Sequence, residues 1–418
     1  MTATNDMTTL QGWFKDAYAD KIKDLIPDNR YYSKEVKSAP SSSQPGGDYK
    51  EPVTLTGEQG ITKASSSAGA FSLNAPIASG TEFATLAGSQ FLLRSALDYE
   101  TIFRSKNKNA FIKATKGVVK NMLKTAYFNK EYDMMYGKTG LGIVSGISTN
   151  TITITTATYA SGLWLGSENR RLRIESSAGV LRGECSVSSY DVANRTVTVD
   201  SAPAGVAATD IIYLAADGAS GANQMLGLYK MITDSTGTLF GINRASYGLW
   251  NSAGTYSAGS APLSFNKIMK AIAQGVNKGL GDEVSEIDVL INPLAWTDLG
   301  NDLAALRELD SSYKSELAAN GSESIKFYCQ AGTVRIIPHK MMKEGYAFVH
   351  PKASRAFQGI GCQPTPTFEL PGAMKKDGDY LRTMENNAGV ETRIYWNDAL
   401  FTDMIAGMVV INNIVNAT

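Results

Sequence analysis

The sequence predicts an α+β protein built from more than one structural unit. Three observations carry this. Residues 107–135 repeat apolar side chains every three or four positions, the period of a helix. Residues 143–214 switch to short alternating runs, the period of strands. From residue 263 strand-like and helix-like runs alternate, which points to a sheet covered by helices.

The chain has 418 residues, 43% apolar and 19% charged, enough for a sizeable core. Lys+Arg and Asp+Glu are 40 each. A chain with no net charge tolerates close packing against copies of itself, whereas a dedicated nucleic-acid binder is basic overall. The three cysteines, Cys185, Cys329 and Cys362, are widely spaced and form no CxxC pair. That speaks against a disulfide framework or a zinc site and fits a reducing cytoplasm. The N-terminus lacks a basic region followed by an apolar stretch, so no signal peptide is expected. No apolar run is long enough to span a membrane.

Residues 8–26 place Leu10, Trp13, Phe14, Ala17, Ile22 and Leu25 at helical spacing, and Pro27 ends the pattern. One short helix has no core of its own. Its stripe docks either on its own domain or on a neighbouring subunit. Residues 37–80 are rich in Ser, Pro and Gly, with β-like runs at Pro52–Thr56 and Gly69–Leu73. They read as a long, poorly packed hairpin, or else as a flexible tether. An isolated two-stranded ribbon is marginal until it lies against another surface. Residues 81–99 resume helical spacing through Phe83, Leu86, Ala87, Phe91, Leu92 and Leu97.

The long helix, Asn107–Met135, puts Phe111, Ala114, Val118, Met122 and Ala126 on one face. Lys113, Lys116, Lys120 and Lys124 fall on the opposite face. Such a helix is roughly 40 Å long. From Glu100 to Lys138 nine Lys/Arg face three Asp/Glu. A lysine stripe is by default a solvated face; the alternative is a face turned towards phosphate.

Six strands are expected next: Ile143–Ile147, Thr151–Thr155, Arg171–Glu175, Glu184–Ser188, Arg195–Val199 and Ile211–Leu214. So many short strands in so few residues suggest a small β-barrel or β-sandwich. Lysine is absent from 139 to 229, which sets this stretch apart as an insertion, and Gly218–Asn223 reads as the returning linker. A helix over Phe265–Asn277 follows, then a buried strand Asp288–Asn292 and a helix opened by Pro293. Ile325–Cys329, Val334–Ile337 and Tyr346–His350 read as strands, as do Val390–Tyr395 and Met404–Ile414.

Catalytic material is sparse. There is no GxSxG, GxxxxGK[ST] or HExxH. The two histidines, His339 and His350, adjoin prolines and read as turn or surface residues. Gly137-Lys138-Thr139-Gly140 mimics the end of a phosphate loop but lacks the preceding glycine and strand. Asp282, Glu283, Glu286 and Asp288 lack calcium-loop spacing and read as a solvated turn. No catalytic, cofactor or metal site is expected, and the chain reads as not an enzyme.

This order of parts resembles the major capsid proteins of tailed bacteriophages, which share the Hong Kong 97-like fold. Several stretches are similar to the family: the segment around Gly241-Ile242-Asn243-Arg244 and Trp250, the strand and Pro-started helix in DVLINPLAWTDL, and the hairpin in GTVRIIPHKMMKEGYAFVHP. SYDVANRTVTVDSAPAGVAATDIIYLAADG looks like the β-rich insertion that some of these proteins carry. The resemblance implies an N-terminal arm over 1–36, an extended loop over 37–80, and a peripheral domain with a spine helix over 81–138. It further implies an inserted β-domain over 139–218, a return to the peripheral domain over 219–262, an axial domain over 263–388 and closing strands over 389–418.

The function it implies is self-assembly, through hexamers and pentamers, into the icosahedral head of a tailed phage enclosing double-stranded DNA. The chain would then reside in the virion capsid, assembled in the host cytoplasm. Partners implied are the portal, a separate scaffolding protein, decoration proteins and the packaged DNA. Trp13, Phe14, Phe71 and Leu73 are candidate inter-subunit contacts, and Lys113, Lys116, Lys120 and Lys124 candidate DNA-facing residues. The alternatives are an encapsulin-like compartment shell and a phage tail or baseplate protein.

Overall fold

The computed structural model describes residues 30–39, 48–67, 69–98, 108–280, 285–306, 325–368, 382–384 and 389–417; side chains of 108–116, 301–306 and 382–383 are outside this description. The arm residues Trp13 and Phe14 therefore lie outside it, as do the side chains of Lys113 and Lys116.

Three β systems organise the chain. A five-stranded outer sheet is built on the long strand Gly389–Phe401. Ser89–Asp98 pairs along one of its edges, and Gln358–Thr367 and Arg382–Thr383 along the other. The helix Lys108–Tyr136 lies on this sheet, with Val118, Met122 and Ala126 against Leu97, Ile394 and Trp396. Phe91 stacks on Trp396 with ring centroids 3.7 Å apart.

Residues 81–98 are not helical, contrary to the helical spacing read over 81–99. They form the strands Thr81–Leu86 and Ser89–Asp98. Alternation within Ser89–Asp98 sends Phe91, Leu93 and Leu97 towards the helix and leaves Leu92 and Arg94 exposed. The same residues fit either period. A ten-residue antiparallel register with Gly389–Phe401 supplies the ladder that decides it.

The central sheet has six strands in the order Gly254–Ala261, Val409–Ile414, Ala347–Pro351, Glu286–Ile291, Gly332–Pro338, Ile325–Cys329. It is buried on both faces, which explains its continuous apolar runs. Ile287, Val289 and Ile291 pack beneath the helices Phe265–Lys278 and Pro293–Leu306. Leu290, Phe348 and Val410 face the other way, into the larger core shared with the outer sheet. Asp288 shares that second face.

Between the long helix and the central sheet the chain closes a six-stranded antiparallel barrel. Its strands are Gly142–Ser148, Thr151–Ile154, Arg171–Glu175, Leu181–Asp191, Thr196–Val199 and Ile211–Leu214. Ile152, Ile154, Leu172, Ile174, Val187, Val197 and Ile212 are buried in its interior. Alternating patterns such as TITI and TVTV place one residue in two inside.

The turn between Pro338 and Ala347 fixes the barrel to the central sheet. Gly162 donates to the Lys340 carbonyl (2.9 Å), Glu344 to Tyr159 (2.8 Å) and Gly345 to Ala157 (2.9 Å). Approach here is close enough that a Cβ on Gly162 would stand 2.6 Å from the Lys340 carbonyl carbon. Arg195 from the barrel pairs with Glu344 at 2.9 Å. The buried Lys343 ammonium donates to the Gly140 carbonyl (2.9 Å) and sits 4.4 Å over the Tyr136 ring.

Candidate functional site

The ribbon is the most exposed feature. Tyr49–Thr54 pairs antiparallel with Thr81–Leu86, from Tyr49↔Leu86 to Thr54↔Thr81. Gly69–Leu73, expected as the second strand, lies instead in the irregular stretch beyond the ladder. The base is tied down: Ala84 and Leu55 are buried and Tyr49 packs edge-on to Phe401. Past Gly80 only a few backbone bonds remain, such as Gln59 to Ile77. Phe71 is 54% exposed and Leu73 80%. With Ile61, Ile77 and Phe83 they make five of the fourteen exposed large apolar residues among those described. Exposed apolar side chains grouped in this way are a common feature of interaction surfaces.

On the long helix Lys120 is exposed and Lys124 half-buried. Lys130, further along, points the other way. It is buried against Asp398 at 2.6 Å and also donates to the Pro364 carbonyl. Burial raises the Asp398 carboxyl above its usual range, and Lys130 works against that rise.

A second feature was hidden from sequence reasoning. Tyr31, Tyr32 and Ser33 donate their backbone N–H groups to the Glu131 carboxylate at 2.9, 2.8 and 2.9 Å. The Tyr31 hydroxyl donates to Asp288, which Arg335 grips with two N–H groups at 2.8 and 2.9 Å. The Tyr32 hydroxyl meets His350 Nε2 at 2.8 Å. His350 Nδ1 faces the Pro351 carbonyl at 2.5 Å, so Nδ1 carries the proton and Nε2 accepts from Tyr32. His339 Nε2 stands 3.5 Å from Glu131.

Four separate stretches meet in this node: the start of the described chain, the long helix, the central sheet and the Pro338–Ala347 turn. Burial would raise Glu131, but His339 and the Ser33 and Tyr32 N–H groups outweigh it and hold the carboxyl low. Burial would also raise Asp288; Arg335, His350 and Tyr31 outweigh it. Burial pushes His350 down, towards the neutral imidazole.

Neither histidine is a surface residue, and Asp288 is not in a solvated turn. Asp282 and Glu283 lie outside the described residues, while Glu286 is exposed and pairs with Lys352 at 2.6 Å. The signal for the node was the lone acid in the apolar run Ile287–Ile291, since a buried charge demands a partner. At 0% exposure, His350 is closed to a substrate. The arrangement holds chain segments together. Among the described residues no group of three His, Cys, Asp or Glu could hold a metal, and no helix is long and apolar enough to cross a membrane.

A cleft of about 600 Å³ opens between the long helix, the strand residues Ser89–Phe91 and the barrel. Phe91, Phe128, Trp396, Lys124, Asp133 and Asp217 are among its lining residues. Asp217 accepts from the Leu214 N–H at 2.9 Å, and Asp133 from the Gln224 amide at 2.7 Å. Burial pushes Asp217 up to about 7. Burial and the facing Asp217 raise Asp133 as well.

No family model matches this sequence, and no curated protein matches it. Solved structures do. A chain of the cyanophage A-1(L) capsid asymmetric unit superimposes with a TM-score of 0.52 at 10% identity, covering 96% of this chain and 95% of that one. The capsid of a native GTA particle gives 0.48 at 8% identity over 99% and 100% of the two chains. The capsid of cyanophage P-SCSP1u gives 0.47 at 9% over 98% and 95%. At such identities the likeness is one of fold, and it spans nearly the whole of both chains: this protein has the mixed α/β fold found in the cyanophage A-1(L) capsid.

Proposed function

We propose that this chain is the major capsid protein of a tailed phage, of Hong Kong 97-like fold, and that it assembles through hexamers and pentamers into an icosahedral, DNA-filled head. The observation that carries the reading is the ribbon. Five large apolar side chains stand in water on an element with almost no core beneath it. Each is worth roughly 1.5–3 kcal/mol once fully buried. A second copy of the chain is the occupant that a repeating shell supplies, and repetition around a closed shell multiplies weak contacts.

On this reading Lys120 and Lys124, with Lys113 and Lys116 in the same stripe, face the packaged DNA and contact it without sequence preference. The barrel is the inserted domain, and the chain's partners in the head are the portal, scaffolding and decoration proteins.

Negative-stain microscopy of the full chain expressed alone tests the assembly. Closed shells, or rings of five and six, are expected. A monomer that persists at high concentration would overturn the reading, and tubes would point to a tail protein instead. For the inner face, charge reversal at Lys116 and Lys120 is expected to reduce packaged DNA; unchanged packaging would remove that role.

A further inference from the structure

The long helix meets the outer sheet through an apolar stripe that ends in a charge. Val118, Met122 and Ala126 face the sheet, and the next residue at that four-residue spacing is Lys130. On the strand Gly389–Phe401, Ile394 and Trp396 face the helix, and the next residue at two-residue spacing is Asp398. The two stripes therefore close on one Lys–Asp pair. Its Nζ and Oδ2 atoms stand 2.6 Å apart, with the side chains 6% and 0% exposed.

A buried ion pair of this kind is costly, because both charges lose their water. The Lys130 ammonium is the only side-chain partner that the Asp398 carboxylate has among the described residues. Moving one proton from the ammonium to the carboxylate cancels both charges and removes that cost. It also sets a free amine against a protonated carboxyl, a nucleophile and its acceptor held in contact, where effective molarities are high. Asp133 follows Lys130 by one turn on the same helix. Burial and the neighbouring Asp217 raise its carboxyl, as does Asp398, so it holds a proton beside the pair. Asp133 and Trp396 also line the cleft, which gives water a way out.

We propose that Lys130 and Asp398 condense into an isopeptide bond that ties the long helix to the outer sheet within one chain. The Lys130 amine attacks Asp398 Cγ. The Nζ–Cγ bond forms and one Cγ–O bond breaks. The departing hydroxyl leaves as water with a proton from Asp133, and Asp133 recovers one from the nitrogen. No oxidant or further reactant is consumed. The remaining amide N–H donates to the Pro364 carbonyl, which Lys130 already meets. The product carries no charge, so the interface between helix and sheet becomes neutral throughout.

Mass spectrometry of the full-length chain, denatured and reduced, tests this without reference to shell formation. The parent is expected to weigh one water less than its sequence. A tryptic digest should yield a branched peptide joining Lys130 to Asp398, with no cleavage after Lys130. Lys130→Met should restore the full mass. Asp398→Asn should still close, losing ammonia in place of water, and so reach the parent's mass. Asp133→Asn should slow closure after synthesis roughly hundredfold. A parent chain at full sequence mass overturns the proposal and leaves an ion pair only. So does a lost water that maps elsewhere, such as a succinimide at Asp217-Gly218. Closure in Asp133→Asn as fast as in the parent would overturn the proton relay.

Discussion

The hydroxyl of Tyr32 and the imidazole of His350 meet at 2.8 Å, although 318 positions separate them in the chain. Both are fully buried. With Nδ1 held by the Pro351 carbonyl, Nε2 has Tyr32 as its donor. Tyr32→Phe leaves that nitrogen without a partner and is expected to cost about 1–3 kcal/mol, read as a lower urea midpoint with an unchanged slope. His350→Phe beside Tyr32→Phe should recover part of the loss, because removing both polar groups removes the orphan. A single variant as stable as the parent would show that the contact does not hold the node.

Lys343 gives a pH signature. It is fully buried, and burial brings its ammonium down to about 7. In the unfolded chain the same group titrates near 10.5. Between these values the unfolded state binds the extra proton, so stability contributed by the neutral amine is lost as pH falls from about 10.5 to about 7. Lys343→Met carries no such slope. Its stability relative to the parent is expected to grow as pH is lowered from 10 to 7 and to level off below 7. Parallel stability curves for the two proteins across that range would contradict an amine lowered by burial.

The Arg195–Glu344 pair holds the barrel to the central sheet. Glu344 is almost wholly buried and Arg195 about one-third exposed. Arg195→Met strands the carboxylate and is expected to cost about 1–3 kcal/mol. The loss should be local. Amide exchange should quicken at Gly162, Glu344 and Gly345, whose N–H groups bridge the two units, and stay slow in Ala347–Pro351. Uniform acceleration across both units would mean that the pair sets global stability instead.

For the ribbon, Phe71→Asp with Leu73→Asp removes apolar surface that is largely exposed in the subunit. The subunit should unfold within about 0.5 kcal/mol of the parent, as exposed substitutions do. Assembly into shells or rings should fail. Particles indistinguishable from the parent's would show that these two side chains lie outside the contact.

Much of the fold was legible because local pattern and tertiary role agreed. The six barrel strands follow from two-residue alternation, and the long helix from its apolar stripe. Residues 81–98 misled because their apolar residues recur at helical spacing, while the strand that claims them, and leaves Leu92 exposed, begins only at Gly389. The second ribbon strand was placed at Gly69–Leu73 since these residues look β-prone, yet the register runs through Thr81–Leu86. The polar node was invisible for a different reason. Its members come from residues 31–33, 131, 288, 335, 339 and 350, and no local rule joins them.

Composition and periodicity by themselves determined the α+β class, the separate β-rich stretch, the long one-faced helix and the scarcity of catalytic motifs. Those are properties of neighbours in the chain, set by how side chains alternate or recur along one element. Tertiary structure alone decided that the barrel closes and is fixed by the Pro338–Ala347 turn, that both histidines are buried, and that Tyr31 and Tyr32 close a node on Glu131, Asp288 and His350. Burial and hydrogen-bond partnership across hundreds of residues are set by packing, and a single chain of letters does not carry them.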